Sequence, residues 1–299
     1  MSHVPLAHRA EALVLRPLVA LLRWLSPVNA SALAGFVARS IGPLLPSKVA
    51  EQNLQFALPE LNAAERRAII TQVWDNLGRT IGELAHIGEL HETASGPGYS
   101  ITGWDEHVVP ALAQGRPLAF FTGHLGNWEI IPPAGFARGV DVAFMYRAAT
   151  NSLVDEMVLG LREDNLKRKV TMFPKGGPGA RGAYAHMMRG GHLGMLMDQK
   201  LDNGISVPFF GIPAMTAPAL ASFALKFKSP VIPTYAIRVG PARLHIVFEP
   251  PMPLPDSGDK AQDILTLTTE MNRILERWIR AHPGAWLWLH RRWPKENYK

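Results

Sequence analysis

The sequence predicts an α/β fold, with a mixed, largely parallel central sheet flanked by helices and an apolar helical arm before it. Three observations carry this reading. Short apolar runs alternate with helix-length stretches along residues 117–248, the pattern of strands joined by crossover helices. The first 60 residues are helix-compatible and unusually apolar. A chain of 299 residues with 47% hydrophobic content buries a substantial core.

The elements follow in order. From Ala12 to Pro46, leucines and valines such as Leu13, Val14, Leu18, Leu21 and Leu22 crowd around Arg16, Arg23 and Arg39. The longest charge-free run, Trp24 to Ala38, has 15 residues and holds Pro27 and Asn29. That is short of the about 20 residues a spanning helix needs. Helices lying in a membrane interface fit the pattern, with arginines on phosphates and Trp24 among head groups; an arm packed on the domain is the plainer alternative. A cleavable signal peptide is not expected, because the basic start is weak and no small-residue cleavage pattern follows. Residues 1–60 are taken as the arm and 61–299 as the main domain.

Asn62 to His91 reads as a long amphipathic helix capped by Asn62, with Ile69, Ile70, Val73, Leu77, Ile81 and Leu84 at helical spacing. A Ser-Gly-Pro-Gly loop at Ser95 to Gly98 ends it. Strands are expected at Pro117–Thr122, Asp141–Tyr146, Val170–Phe173, Leu193–Met197, Pro230–Ala236 and Leu244–Phe248. Helices are expected at Leu125–Arg138, Ser152–Lys169, Ala180–Arg189, Thr216–Lys228 and Ala261–Ala281. No internal repeat or low-complexity tract is visible.

Composition narrows the chemistry. With no cysteine there is no thiol nucleophile, thiolate metal site or disulfide. No histidine pair has metal-ligand spacing with a carboxylate, so no metal and no cofactor is expected. The net charge of +6 suits anionic head groups, an acidic carrier protein or nucleic acid without choosing among them.

Gly123-His124 follows the strand run Leu118-Ala-Phe-Phe-Thr122, and residues at the carboxyl ends of strands line the crevice of open α/β sheets. Glu129 lies five residues on. A tight turn through Leu125-Gly126-Asn127 would bring its carboxylate to Nδ1 of His124, fixing the tautomer and leaving Nε2 to take a proton from an alcohol. No serine elbow accompanies the pair, so direct attack by a substrate hydroxyl is the economical reaction. Among the 11 histidines, His86, His186, His192 and His245 are expected to be structural or solvated.

Five blocks in register then resemble one family: Gly123-His-Leu-Gly-Asn-Trp-Glu129, Tyr146-Arg147 with Asn151, Gly194 to Gln199, Val207-Pro-Phe-Phe-Gly211, and Trp286-Leu-Trp-Leu-His-Arg-Arg-Trp293. Over about residues 60–295 the chain is similar to the bacterial lipid A biosynthesis lauroyl/myristoyl acyltransferases, relatives of the glycerolphosphate acyltransferases. The resemblance implies a glycerolphosphate-acyltransferase-like domain at the cytoplasmic face of the inner membrane. There it would move a fatty acyl chain from acyl-carrier protein to a hydroxyl of a lipid A precursor, with His124 and Glu129 as the catalytic dyad. Where glycerolphosphate-type relatives carry Glu-Gly-Thr, this chain has Asp198-Gln199-Lys200, which points away from a simple lysophosphatidic acid acceptor. A lysophospholipid, ornithine lipid or glycolipid acceptor keeps the same chemistry, and a membrane-docked lipid-binding protein with a vestigial site is the alternative outside enzymes.

The motif residues Gly123, Asn127 and Asn151 join the candidate substrate-binding set. Arg147 is a candidate grip for a phosphate, or a surface arginine. Asp198 and Gln199 sit at a strand end, in reach of sugar hydroxyls, and Phe209 and Phe210 either wall an acyl channel or pack in the core. Backbone N–H groups after His124 are candidate donors to the acyl oxygen. Seven Lys and Arg residues between Arg162 and Arg189, against Glu163 and Asp164, offer a docking face for the acidic carrier protein or the lipid's phosphates, or a solvated helix face. Trp286, Trp288 and Trp293 among His290, Arg291 and Arg292 suit a membrane-interface edge, and no motif supports nucleic-acid binding.

Overall fold

The computed structural model describes residues 5–45, 48–146 and 151–298. Pro46 and Arg147, named above, lie outside them. The arm divides because Pro27 takes the first helical position and Ser26 Oγ accepts from Asn29 N at 3.3 Å, starting a second helix. It therefore forms α1 (Leu6–Trp24) and α2 (Pro27–Ile41), followed by α3 (Lys48–Ala57). Among the described residues no single helix is long and apolar enough to cross a membrane.

In α4 (Ala63–Leu84), Asn62 accepts from Ala64 N and Glu65 N while Glu65 Oε2 accepts from Asn62 N, a complete capping box. The helix stops before the expected His91. His86 turns inward there, between Glu89 Oε1 at 2.7 Å and Leu22 O of α1 at 2.8 Å. Helix α2 lies closely on α4 because Gly78 and Gly82 carry no Cβ; one added there would sit 2.3 Å from Ala34 O and 2.5 Å from Ala30 O.

The remaining elements are β1 (Gly98–Thr102), α5 (Val109–Leu112), β2 (Ala119–Thr122), α6 (Ile131–Ala137), β3 (Val142–Tyr146), α7 (Ser152–Leu166), β4 (Met172–Pro174), α8 (Gly177–Met188), β5 (His192–Leu196), β6 (Ile205–Phe209), β7 (Ile212–Thr216), α9 (Ala219–Phe227), β8 (Val231–Gly240), β9 (Arg243–Phe248) and α10 (Lys260–Ala281). Among the described residues seven strands form one sheet, in the order β1-β9-β8-β2-β5-β3-β4. Every pairing in it is parallel except β8 with β9. The α/β fold with a mixed, largely parallel sheet is as the sequence predicts.

Two features were not legible in the apolar runs. One is the edge strand β1. The other is the β6–β7 hairpin, whose two-residue turn places Phe210 at φ 52° and Gly211 at φ 74°, both left-handed as such a turn requires. The helix expected from Leu125 also starts later. Gly126 at φ 59° turns the chain away, a 3₁₀ turn covers Trp128–Ile130, and α6 begins at Ile131.

The sheet is buried on both faces. On one, Phe121, Leu193 and Val231 pack with residues of α3, α4, α9 and α10 and with the C-terminal tryptophans. On the other, Phe120, Val142 and Ile232 pack with Trp104, Ile130 and Ala134. Trp286, Trp288 and Trp293 are fully buried, which overturns their reading as a membrane-interface edge. Their indole N–H groups are satisfied inside, by Asp198 Oδ2, Pro283 O and Phe209 O. Arg292 is buried with them, donating to Met215 O and Thr216 Oγ1 over the Phe209 ring.

Candidate active site

Strands β2 and β5 are parallel neighbours in a register that pairs Thr122 with Leu196. Two residues past that pair on each strand stand His124 and Asp198, so 74 residues of sequence separation close to a direct contact. His124 Nδ1 lies 2.9 Å from Asp198 Oδ1, and His124 N donates to Asp198 Oδ2 at 2.8 Å. Trp286 Nε1 donates to the same Oδ2 at 2.8 Å. Gly123 permits the approach, since a Cβ there would meet Asp198 Cγ at 3.3 Å and Leu275 Cδ2 at 2.9 Å.

Asp198 is fully buried. Burial alone raises its carboxyl, but the His124 and His290 imidazoles and the hydrogen bonds from His124 outweigh it and hold the group well below the usual carboxylate range. An ionised carboxylate at Nδ1 assigns the proton of His124 to that nitrogen and leaves Nε2 as the acceptor. Nε2 faces a cavity, with the Gln199 side-chain amide 3.4 Å away.

The acid expected at Nδ1 was Glu129, and the structure places Asp198 there instead. Because the chain turns away at Gly126, Glu129 points to α7. Its carboxylate accepts from Arg162 Nε at 2.9 Å and Nη2 at 2.6 Å, and from Trp128 Nε1 at 3.1 Å. Burial works to lower Arg162, and the paired Glu129 more than offsets it, so the guanidinium is held above its ordinary value. Glu129, Arg162 and His124 all line the same cavity, and Trp128 stands edge-on to the His124 ring at 4.8 Å. In sequence Arg162 stands out only as part of a basic stretch; its pairing with Glu129 depends on where α7 packs.

The cavity holds about 800 Å³ and is mostly apolar, with Leu84, Ile87, Phe120, Pro132 and Phe144 among its walls. Phe209 and Phe210 are not among them. Both are buried in the core around Trp286 and Trp293, so the aromatic wall comes from β2 and β3 instead. Asn127 is buried and spent internally, donating to Glu83 Oε2 at 2.8 Å and accepting from Glu129 N at 3.0 Å. Asn151 caps α7 through Leu153 N and donates to His8 O and Glu11 Oε2 of α1. Neither lines the cavity, and Asp198 faces His124 rather than a ligand. Gln199 does line it.

The amides of His124, Leu125, Gly126 and Glu129 are committed to Asp198, Gly123 O, Ala285 O and Asn127 respectively. They are therefore not the oxyanion donors expected of a helix start. His186, His192 and His245 are bonded away from the cavity. His186 Nε2 meets His192 O, His192 Nδ1 accepts from Leu118 N, and His245 Nδ1 meets Ser100 Oγ.

A buried carboxylate, an imidazole whose second nitrogen meets the Gln199 amide at 3.4 Å, and an apolar cavity of about 800 Å³ form a base beside an acyl-sized space. No curated protein matches the chain. The model of the family described as bacterial lipid A biosynthesis acyltransferase matches residues 12–295, nearly the whole chain, and the protein belongs to that family.

Proposed function

We propose that the protein transfers a fatty acyl chain of the lauroyl/myristoyl class from acyl-carrier protein to a hydroxyl of a lipid A precursor, with His124 as general base. The observation that carries the reading is His124 itself: Nδ1 is tied to a buried carboxylate while Nε2 opens on the apolar cavity.

In this reaction the acceptor hydroxyl gives its proton to Nε2 as its oxygen attacks the thioester carbonyl. Asp198 stabilises the imidazolium that results. The tetrahedral oxyanion collapses, the carbon–sulfur bond breaks, and the thiolate takes the proton back from Nε2. An ester and a free thiol leave, and His124 returns to its starting state. The Gln199 amide supplies a donor near the reacting carbonyl. Glu129 belongs to the site as the partner of Arg162, which it holds oriented toward the acceptor. The basic stretch from Arg162 to Arg189 suits an acidic carrier protein.

We place the protein at the cytoplasmic face of the inner membrane. Supporting this, Leu13, Leu18, Leu21 and Trp24 of α1 and Leu33, Phe36, Val37 and Ile41 of α2 are exposed, an apolar surface larger than scattered residues account for.

The test is transfer of a dodecanoyl group from acyl-carrier protein to a lipid A precursor, a lysophospholipid or an ornithine lipid by the purified protein. Acylated lipid A precursor is the expected product, and His124→Ala is expected to abolish it. Retention of most of the activity by His124→Ala would sink the mechanism, and preference for another acceptor would sink the substrate assignment.

A further inference from the structure

Behind the cavity wall lies a second buried charge that the reaction above does not use. Glu83 of α4 is fully buried and accepts four hydrogen bonds: Ser31 Oγ at 2.7 Å, Asn127 Nδ2 at 2.8 Å, and Arg238 Nε and Nη2 at 2.9 and 2.6 Å. Arg238 also donates through Nη1 to Asn76 Oδ1. Asn76 Nδ2 in turn donates to Gly126 O at 2.9 Å, and Thr80 Oγ1 reaches the same carbonyl at 3.1 Å. Two of Glu83's three partners, Asn127 and Arg238 through Asn76, therefore lead to Gly126 or Asn127, the turn that separates His124 from Trp128 and Glu129; Asn76 Nδ2 also donates to Ala285 O at 3.2 Å.

We infer that Glu83 and Arg238 form a positioning pair that fixes this turn, and that Ser31 makes the arm helix α2 a working part of it. The inference rests on the assignment of His124 as the base.

Two anchors of different origin meet at the site. His124 is held by the β2–β5 register and Asp198. The Trp128–Glu129 side is not in the sheet. Its first amide contact is Glu129 N to Asn127 Oδ1, and Asn127 is held by Glu83. With Gly126 in the left-handed region no continuing helix supports the turn; backbone bonds to residues 285–287 hold its His124–Gly126 side, and side chains hold the Gly126 carbonyl and Asn127. A buried ion pair is weak evidence for stability by itself, because a well-packed apolar pair often replaces it without loss. What an apolar pair cannot supply is the acceptor for Asn127 Nδ2 and the donor to Asn76 Oδ1, the two links by which the pair holds Asn127 and the Gly126 carbonyl.

That difference gives the test. Full-length protein carrying Glu83→Gln, the apolar double substitution Glu83→Leu with Arg238→Met, or Ser31→Ala is compared with the parent. The readouts are dodecanoyl transfer from acyl-carrier protein to a lipid A precursor, Tm, and hydrogen exchange of the peptide covering residues 124–131. Glu83→Gln and the double variant are expected to lose about 100-fold in kcat with little change in KM, the scale of a misplacement of about 1 Å. The double variant is expected to keep a near-parental Tm. Ser31→Ala, which removes one hydrogen bond of four, is expected to lower kcat several-fold at unchanged Tm. All three are expected to speed exchange in residues 124–131 while peptides of the β2–β5 pair stay protected.

Parental kcat in the double variant at parental Tm would overturn the inference, and parental kcat in Ser31→Ala would remove α2 from it. If the charged-pair variants fail to fold, Ser31→Ala decides by both readouts. A parent protein that transfers no acyl group would instead defeat the functional reading. The exchange readout still decides whether the pair holds the turn, and unchanged exchange in every folded variant overturns the inference.

Discussion

A carboxylate that orients an imidazole works best when it is dry and has no stronger partner. Asp198 meets both conditions, whereas Glu129 is engaged bidentately by Arg162. Asp198→Asn is therefore expected to reduce turnover by about 10⁴-fold, the scale for loss of the orienting carboxylate of a catalytic histidine. Glu129→Gln keeps one acceptor for Arg162 and is expected to cost less, about 100-fold. Steady-state kinetics of both variants decide the order, and a larger loss in Glu129→Gln would return Glu129 to the partner role.

Buried histidines give a second prediction at this scale. Burial lowers His290 and His192 from the ordinary 6.5, so as pH falls below 6.5 the unfolded chain takes protons that the folded one refuses. Their contribution to stability is present above 6.5 and is lost on acidification. Asp198, held low in the fold, acts in the same direction further down, below its ordinary 3.8. Tm is expected to fall between pH 7.5 and pH 5, and a flat profile by scanning calorimetry would contradict this.

Among the elements, α2 and α4 show how a backbone contact substitutes for side-chain packing. Gly78 and Gly82 let α2 come within contact of α4, which is what allows Ser31 to reach Glu83. Gly78→Val would drive its side chain into Ala34 O, and overpacking of this kind costs about 1–3 kcal/mol. Chemical denaturation should show that loss, with kcat falling as well because the Ser31 contact opens. At Gly126 the constraint is sharper still, since an added Cβ would sit 1.9 Å from Ala236 O.

For the whole molecule, the arm is both a surface and a structural layer. Its outward residues Trp24 and Phe36 are 82% and 55% exposed, while Leu22 and Ala30 are buried against Ala85. Deleting the arm would remove the exposed apolar surface proposed to meet the membrane and uncover α4 together, so it cannot separate the two. Trp24→Ser with Phe36→Ser changes only the outer face. This pair is expected to abolish flotation with anionic vesicles while leaving Tm within a few degrees, and persistent flotation would move the membrane contact elsewhere.

The same scale shows what the sequence by itself determined. Period and punctuation are local, so six of the sheet's strands, the Asn62 cap and the strand-end position of His124 were legible, as was the family through its ordered motifs. The partner of His124 was not. Asp198 could be seen at a strand end, but only the order β8-β2-β5-β3 places that end beside His124. The nearer acid in sequence, Glu129, was turned away by Gly126 and captured by Arg162. The tryptophan-rich C-terminus looked interfacial by composition, and burial with an acceptor for each indole made it core. Chain order sets what each segment can become; which side chains meet depends on strand neighbours and on the hydrogen-bond partners that burial demands, and both exist only in the folded molecule.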